Sequence, residues 1–136
     1  MESLQHSLIG FPPFIITLVV SLVLLVSFVY IYVKITPYNE IQLIRDGNSA
    51  AAISLSGATI GFAIPLAQSA AQSGDVIDML VWAGISMVVQ LLAYVAVRMI
   101  IPAIGRDIPA GKIAQGIFLG GLSLAMGILN AACMDV

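Results

Sequence analysis

The chain has 136 residues, of which 60% are hydrophobic and only 9% charged, with a mean hydropathy of +1.08. A water-soluble domain carries about 25% charged residues, so this chain cannot cover a water-facing surface and reads as a membrane protein set in a lipid bilayer. A net charge of -2 without a basic stripe excludes nucleic acid as a partner. The lone Cys133 and the lone His6 supply too few ligands for a disulfide, a zinc site or a haem, so no metal and no cofactor is expected.

The amino-terminal flank MESLQHSLIG contains no Lys or Arg. The apolar run after it is long and lacks a small-residue cleavage site, so it reads as a span and not as a signal peptide. Pro12 and Pro13 are expected just before this first span, where missing amide donors cost a helix least. A bilayer takes about 20 apolar residues to cross, which places the four spans near Phe14–Val33, Ala50–Ala71, Val76–Ile100 and Ile113–Cys133. Between the first two, ITPYNEIQLIRDGN holds Glu40, Arg45 and Asp46, a mixed set expected at the headgroups. Arg45 and Asp46 read as a solvated pair, or as a contact to anionic lipid or a cytoplasmic protein. Span two carries Pro65 near its end, where a bend is expected. The QSGD turn leads to span three, and IPAIGRDIPAGK to span four. The chain is therefore expected to be all-α, a polytopic membrane protein forming one membrane domain over residues 1–136.

All five basic residues, Lys34, Arg45, Arg98, Arg106 and Lys112, flank or occupy the first and third connections. The positive-inside rule puts those connections in the cytoplasm and both termini outside, periplasmic in a bacterium. Tyr30, Tyr32 and Tyr38 then fall where an interfacial aromatic belt belongs.

The chain repeats at an offset of 64 residues. Gly47, Ala50, Ile53, Leu55, Gly57, Ile64 and Ala67 match Gly111, Ala114, Ile117, Leu119, Gly121, Ile128 and Ala131, while Tyr30, Val33 and Lys34 meet Tyr94, Val97 and Arg98. Two tandem repeats of two helices, approximately 11–72 and 75–136, are expected, and an even number of spans makes them parallel in the membrane. Spans two and four each carry small residues four apart, hence on one helix face. Gly57 and Gly61 correspond to Gly121 and Ala125; Ala52 and Ser56 correspond to Gly116 and Gly120. These are helix-packing candidates, since close backbone approach is a main source of association energy in lipid. Alternatively the slim faces leave room for a narrow polar path.

Gln90, Gln115 and Asn130 lie within the spans. An amide in hydrocarbon is costly alone, so Gln90 and Asn130 are expected to bond across helices. Ser and Thr satisfy themselves one turn back. No span has a formal charge in its middle, which counts against a proton-driven carrier. No nucleophile and base, carboxylate pair or metal cluster is recognisable, so no enzyme activity is expected.

The stretches ITPYNEIQLIRDGNSAAAISLSGATIGFAIPLA and IAQGIFLGGLSLAMGILNAACM resemble the two halves of a bacterial inner-membrane family, domain of unknown function 350, the YjfL-like proteins. Thr36-Pro37-Tyr38, Gly47-Asn48 with the alanines after it, and the run from Asn130 to Met134 carry the resemblance most specifically. It implies a small multipass, uncharacterised protein of the inner (plasma) membrane with duplicated halves, and it implies no activity. Two functions stay open. One is a noncatalytic membrane assembly or scaffold component that joins a homo-oligomer or another membrane protein through its small-residue faces. The other is a passive channel or small-solute transporter, with a path between the repeats or at an oligomer centre.

Overall fold

The computed structural model describes residues 2–72 and 75–134; the side chains of His6 and Ser7 lie outside the described set, as do Ser73 and Gly74 of the QSGD turn. Among the described residues six helices follow in order: α1 (Glu2–Ile35), α2 (Glu40–Arg45), α3 (Ser49–Gln72), α4 (Val76–Ile100), α5 (Ile104–Asp107) and α6 (Ile113–Cys133). α1, α3, α4 and α6 are each long and apolar enough to cross a membrane. α1 differs from expectation by starting well before Phe14, so that Pro12 and Pro13 lie inside it. The proline ring fixes φ near helical values, so the helix runs through them at the loss of two amide donors. At 34 residues α1 would be about 50 Å long, against a hydrocarbon core of about 30 Å. It therefore tilts or projects beyond the core.

The bundle is built on α3 and α6. Gly116 packs against Ala50, Gly120 against Ile53 and Gly127 against Gly61, so the pairs advance together and the two helices run the same way. α4 lies antiparallel to them, with Gln90 beside Ser123 and Ser86 beside Asn130. α1 joins the bundle through its carboxy-terminal half. Phe28 stacks on Phe62 of α3 with ring centroids 4.4 Å apart, and Tyr32 meets Tyr94 of α4 edge-on at 6.2 Å. Its earlier residues, from Leu8 to Val23, are largely exposed, an apolar surface suited to lipid.

The two connections share one backbone device. Gly47 and Gly111 both take left-handed φ, +86° and +81°, a conformation in which a side chain is strained. Around them the amide of Asn48 bonds the Leu43 carbonyl and that of Gly47 the Ile44 carbonyl. Likewise Lys112 bonds Asp107, and Gly111 bonds Ile108. This is the Schellman pattern, which satisfies the last carbonyls of a helix. The connections also touch: Asn48 Nδ2 donates to the Ile108 carbonyl at 2.9 Å, while Asn48 Oδ1 caps α3 by accepting from Ala51 at 2.9 Å. Lys112, at the corresponding position, gives α6 no side-chain cap.

Candidate functional site at the connected ends of the bundle

The seam between α3 and α6 is closed by glycine. A Cβ added at Gly57 would run into the Gly120 backbone, and one at Gly127 into the Gly61 backbone; one at Gly116 would lie 2.6 Å from the Ala50 carbonyl oxygen. Gly61 is the residue whose carbonyl loses its helical amide partner to Pro65, four positions on. Gly127 packs against that carbonyl, where a Cα–H can take up part of the freed acceptor capacity.

Of the packing candidates, Gly57 and Gly61 on α3 and Gly116 and Gly120 on α6 are in this seam. Ser56, Gly121 and Ala125 are exposed and Ala52 is half-buried. Each helix thus presents one small-residue strip to the other and turns its second strip away. Gly127, seven residues beyond Gly120, continues the α6 strip and was not singled out from sequence. Its spacing on the same helix face was the available signal.

Of the intramembrane amides, Gln90 is fully buried and donates through Nε2 to the Ser123 carbonyl at 3.0 Å. Asn130 donates to Ser86 Oγ at 3.0 Å. Both bonds cross from one helix to another, and Gln115 is half-buried near the start of α6. Ser54 and Thr59 bond carbonyls one turn back, at 3.0 and 2.7 Å. Gln90 Oε1 and Ser123 Oγ are buried without a hydrogen-bond partner among the described residues.

The densest group of polar chemistry lies at the other connection. Glu40, expected at the headgroups, is only 1% exposed. It opens α2 and is turned inward, where Thr36 Oγ1 donates to its Oε1 at 2.7 Å. Burial pushes the Glu40 carboxyl up to about 7, opposed by the Thr36 hydroxyl and by its own backbone amide. Tyr38 is buried beside it, and burial first, then the Glu40 charge, drive its phenol upward. Tyr32 and Tyr94 also lie within electrostatic reach of Glu40. The hydroxyls of Tyr32, Tyr38 and Tyr94 have no hydrogen-bond partner among the described residues; the Ser123 side chain approaches Tyr32 without a paired geometry.

The aromatic belt is accordingly smaller than expected. Tyr30 is exposed, with Lys34 Nζ 5.4 Å from its ring centroid, whereas Tyr32 and Tyr38 are turned into the bundle. Tyr32 follows Phe28 by four residues, so the face that stacks on α3 carries it inward. Asp46 accepts from Gln42 at 3.4 Å and makes no ion pair with Arg45, because successive helical residues do not face each other. Beside the cluster an open groove of about 750 Å³ runs along α1, with Val29, Val33, Thr36, Tyr38 and Ile41 in its lining.

The two glycine turns offer a signal for the burial of Glu40. Seven residues before Gly47 stands Glu40; seven before Gly111 stands Ile104, which is 0% exposed. At both turns the residue seven places before the glycine is turned inward.

The family model described as Domain of Unknown Function (DUF350) matches residues 5–134. The chain is similar to the UPF0719 inner membrane protein YjfL of Escherichia coli strain K12 and to its counterpart in Escherichia coli O157:H7. Each is 42% identical over 115 residues, 85% of this chain and 87% of the relative. No solved structure matches. With four apolar helices of spanning length and a match over nearly its whole length, the chain belongs to the DUF350 family of multipass inner-membrane proteins.

Proposed function

We propose that this protein is a noncatalytic component of a membrane assembly, joining copies of itself or another membrane protein through a small-residue helix face. The observation that carries this reading is the unused strip on α6. Gly121 and Ala125 are exposed one turn apart, and nothing lies within 4 Å of where a Cβ of Gly121 would be. The inner strip already serves the α3–α6 seam, so the outer one is available for a second helix at close range. Two tandem two-helix repeats in parallel, with both termini outside, complete the proposal. It is supported by the parallel run of α3 and α6 and by the same glycine turn at Gly47 and Gly111.

The second reading, a passive channel or small-solute path, is favoured by the unpaired Gln90 Oε1 and Ser123 Oγ in the interior. Glycine closure of the seam argues against a path between the halves and leaves the oligomer centre. The test is oligomeric mass in detergent beside ion and small-solute flux in liposomes. Assembly predicts that Gly121→Leu folds but loses its oligomer, while Gly57→Leu fails to fold because its side chain meets the Gly120 backbone. A flux abolished by Gln90→Leu with the fold intact would replace assembly by conduction.

A further inference from the structure

Glu40 combines features that a merely structural carboxylate lacks. It is 1% exposed and makes no ion pair among the described residues. Its Oε1 meets one hydroxyl, Thr36 Oγ1, at 2.7 Å, and that hydroxyl has two further acceptors, the Tyr38 carbonyl at 3.1 Å and the Val33 carbonyl at 3.2 Å. A hydroxyl carries one proton. If Glu40 is ionised, Thr36 gives that proton to the carboxylate and both carbonyls lose it. If Glu40 is neutral, its own O–H can donate to Thr36 Oγ1, and Thr36 donates onward to a carbonyl. Thr36 can thus bond either form, and it is burial that favours the neutral one, since an isolated ionised carboxylate in such surroundings is costly.

The repeat-related corner removes the structural explanation. Ile104 stands at the matching place, also buried, ahead of the same glycine turn. An apolar side chain suffices to build this corner, so the fold does not demand a carboxyl at Glu40. Access exists as well, because Thr36 and Tyr38 both line the open groove along α1. Glu40 is therefore one hydrogen bond from the lining of a groove that runs from Leu25 and Val29 in the span to Lys34 and Asn39 at the connection.

We propose that Glu40 is a proton-binding site, exchanging its carboxyl proton by way of Thr36 with solvent at the Lys34–Asn39 end of the groove while the corner stays folded. The O–H bond of the carboxyl breaks and the proton passes to solvent; uptake is the reverse, and nothing is oxidised or reduced. The titratable groups facing it are Tyr32 from α1, Tyr38 from the connection and Tyr94 from α4, with Arg98 acting on Tyr94. α3, which packs against α2, contains no titratable side chain. A phenol ordinarily titrates at about 10, so across the range concerned the carboxyl is the group that changes charge.

The experiment uses the full-length protein in liposomes with carbon-13-labelled glutamate, since the chain has only two glutamates, Glu2 and Glu40. Infrared spectra are taken from about pH 5 to about pH 9, bracketing ordinary and raised carboxyl values. The expected result is a protonated-carboxyl carbonyl band that disappears with a midpoint of about 7 and is absent from Glu40→Gln. In Thr36→Val the midpoint should move upward, because the hydroxyl that favours the ionised form is gone. The proposal is overturned if wild type shows no such band, if the band persists in Glu40→Gln, or if Thr36→Val leaves the midpoint in place. Should Glu40→Gln not fold, the labelled wild type and Thr36→Val decide alone. This site is independent of oligomer formation, so either claim can fail without the other.

Discussion

The two corners of the molecule, Glu40–Asn48 and Ile104–Lys112, have one backbone and two chemistries. Each is a short helix ended by a left-handed glycine and the same pair of amide bonds. In the second, the inward position is Ile104 and the last residue before the long helix is Lys112, exposed and paired with Asp107 at 3.4 Å. In the first, those places hold Glu40, buried under Thr36, and Asn48, which caps α3 and reaches across to the other corner. The shared part is what the fold needs to turn a chain back into a membrane. The unshared part is where the chain departs from the cheapest solution, and it marks the first corner as the place where structure alone does not explain the residues.

That contrast can be broken most severely by placing a carboxyl in the second corner. Ile104→Glu puts an acid in a fully buried site without a Thr36 equivalent, since Ile100 stands at that offset. A loss of about 4 kcal/mol is expected, read as a fall in the melting temperature in detergent. A loss under about 1 kcal/mol would mean that the second corner tolerates charge and that Glu40 is unexceptional.

A smaller effect sharpens the contrast through pH. The Glu40 carboxyl is raised from 4.5 to about 7 in the folded chain, so the folded state binds more protons than the unfolded one between those values. Stability from this group is fully present below the unfolded value and is lost as pH rises through about 7. The loss amounts to about 3 kcal/mol at most. Glu40→Gln should flatten that part of the melting-temperature profile; an unchanged slope would assign the dependence to another group.

The smallest effect separates the two helix starts. Asn48→Ala removes a cap and the bond to the Ile108 carbonyl, and should cost about 1–2 kcal/mol. Lys112→Ala removes an exposed ion pair and should cost less than about 0.5 kcal/mol. Equal costs would show that the corners are interchangeable after all.

The spans were legible because lipid imposes long apolar runs, and α3, α4 and α6 begin and end within one residue of their expected bounds. The start of α1 is not legible because two prolines read as a boundary, although a helix can pass through them. α2 and α5, six and four residues long, are too short to show a helical period. The small-residue strips were readable from spacing, but not which strip each helix would use. Both strips are built of small residues, and which one faces the neighbour is a matter of three-dimensional packing, with Gln90 of α4 also lying against the chosen seam. The burial of Glu40 is not legible because a charged residue in a connection normally faces water.

The central claim is that the two corners lie on one side of the membrane as parts of like-oriented halves. Site-directed labelling with an impermeant thiol reagent tests it most directly. In a Cys133→Ser background, which removes the one exposed thiol, Asp75→Cys and Arg106→Cys are probed separately from the two sides. The account predicts labelling of Arg106→Cys from the cytoplasmic side and of Asp75→Cys from the opposite side. Labelling of both from the same compartment would contradict it.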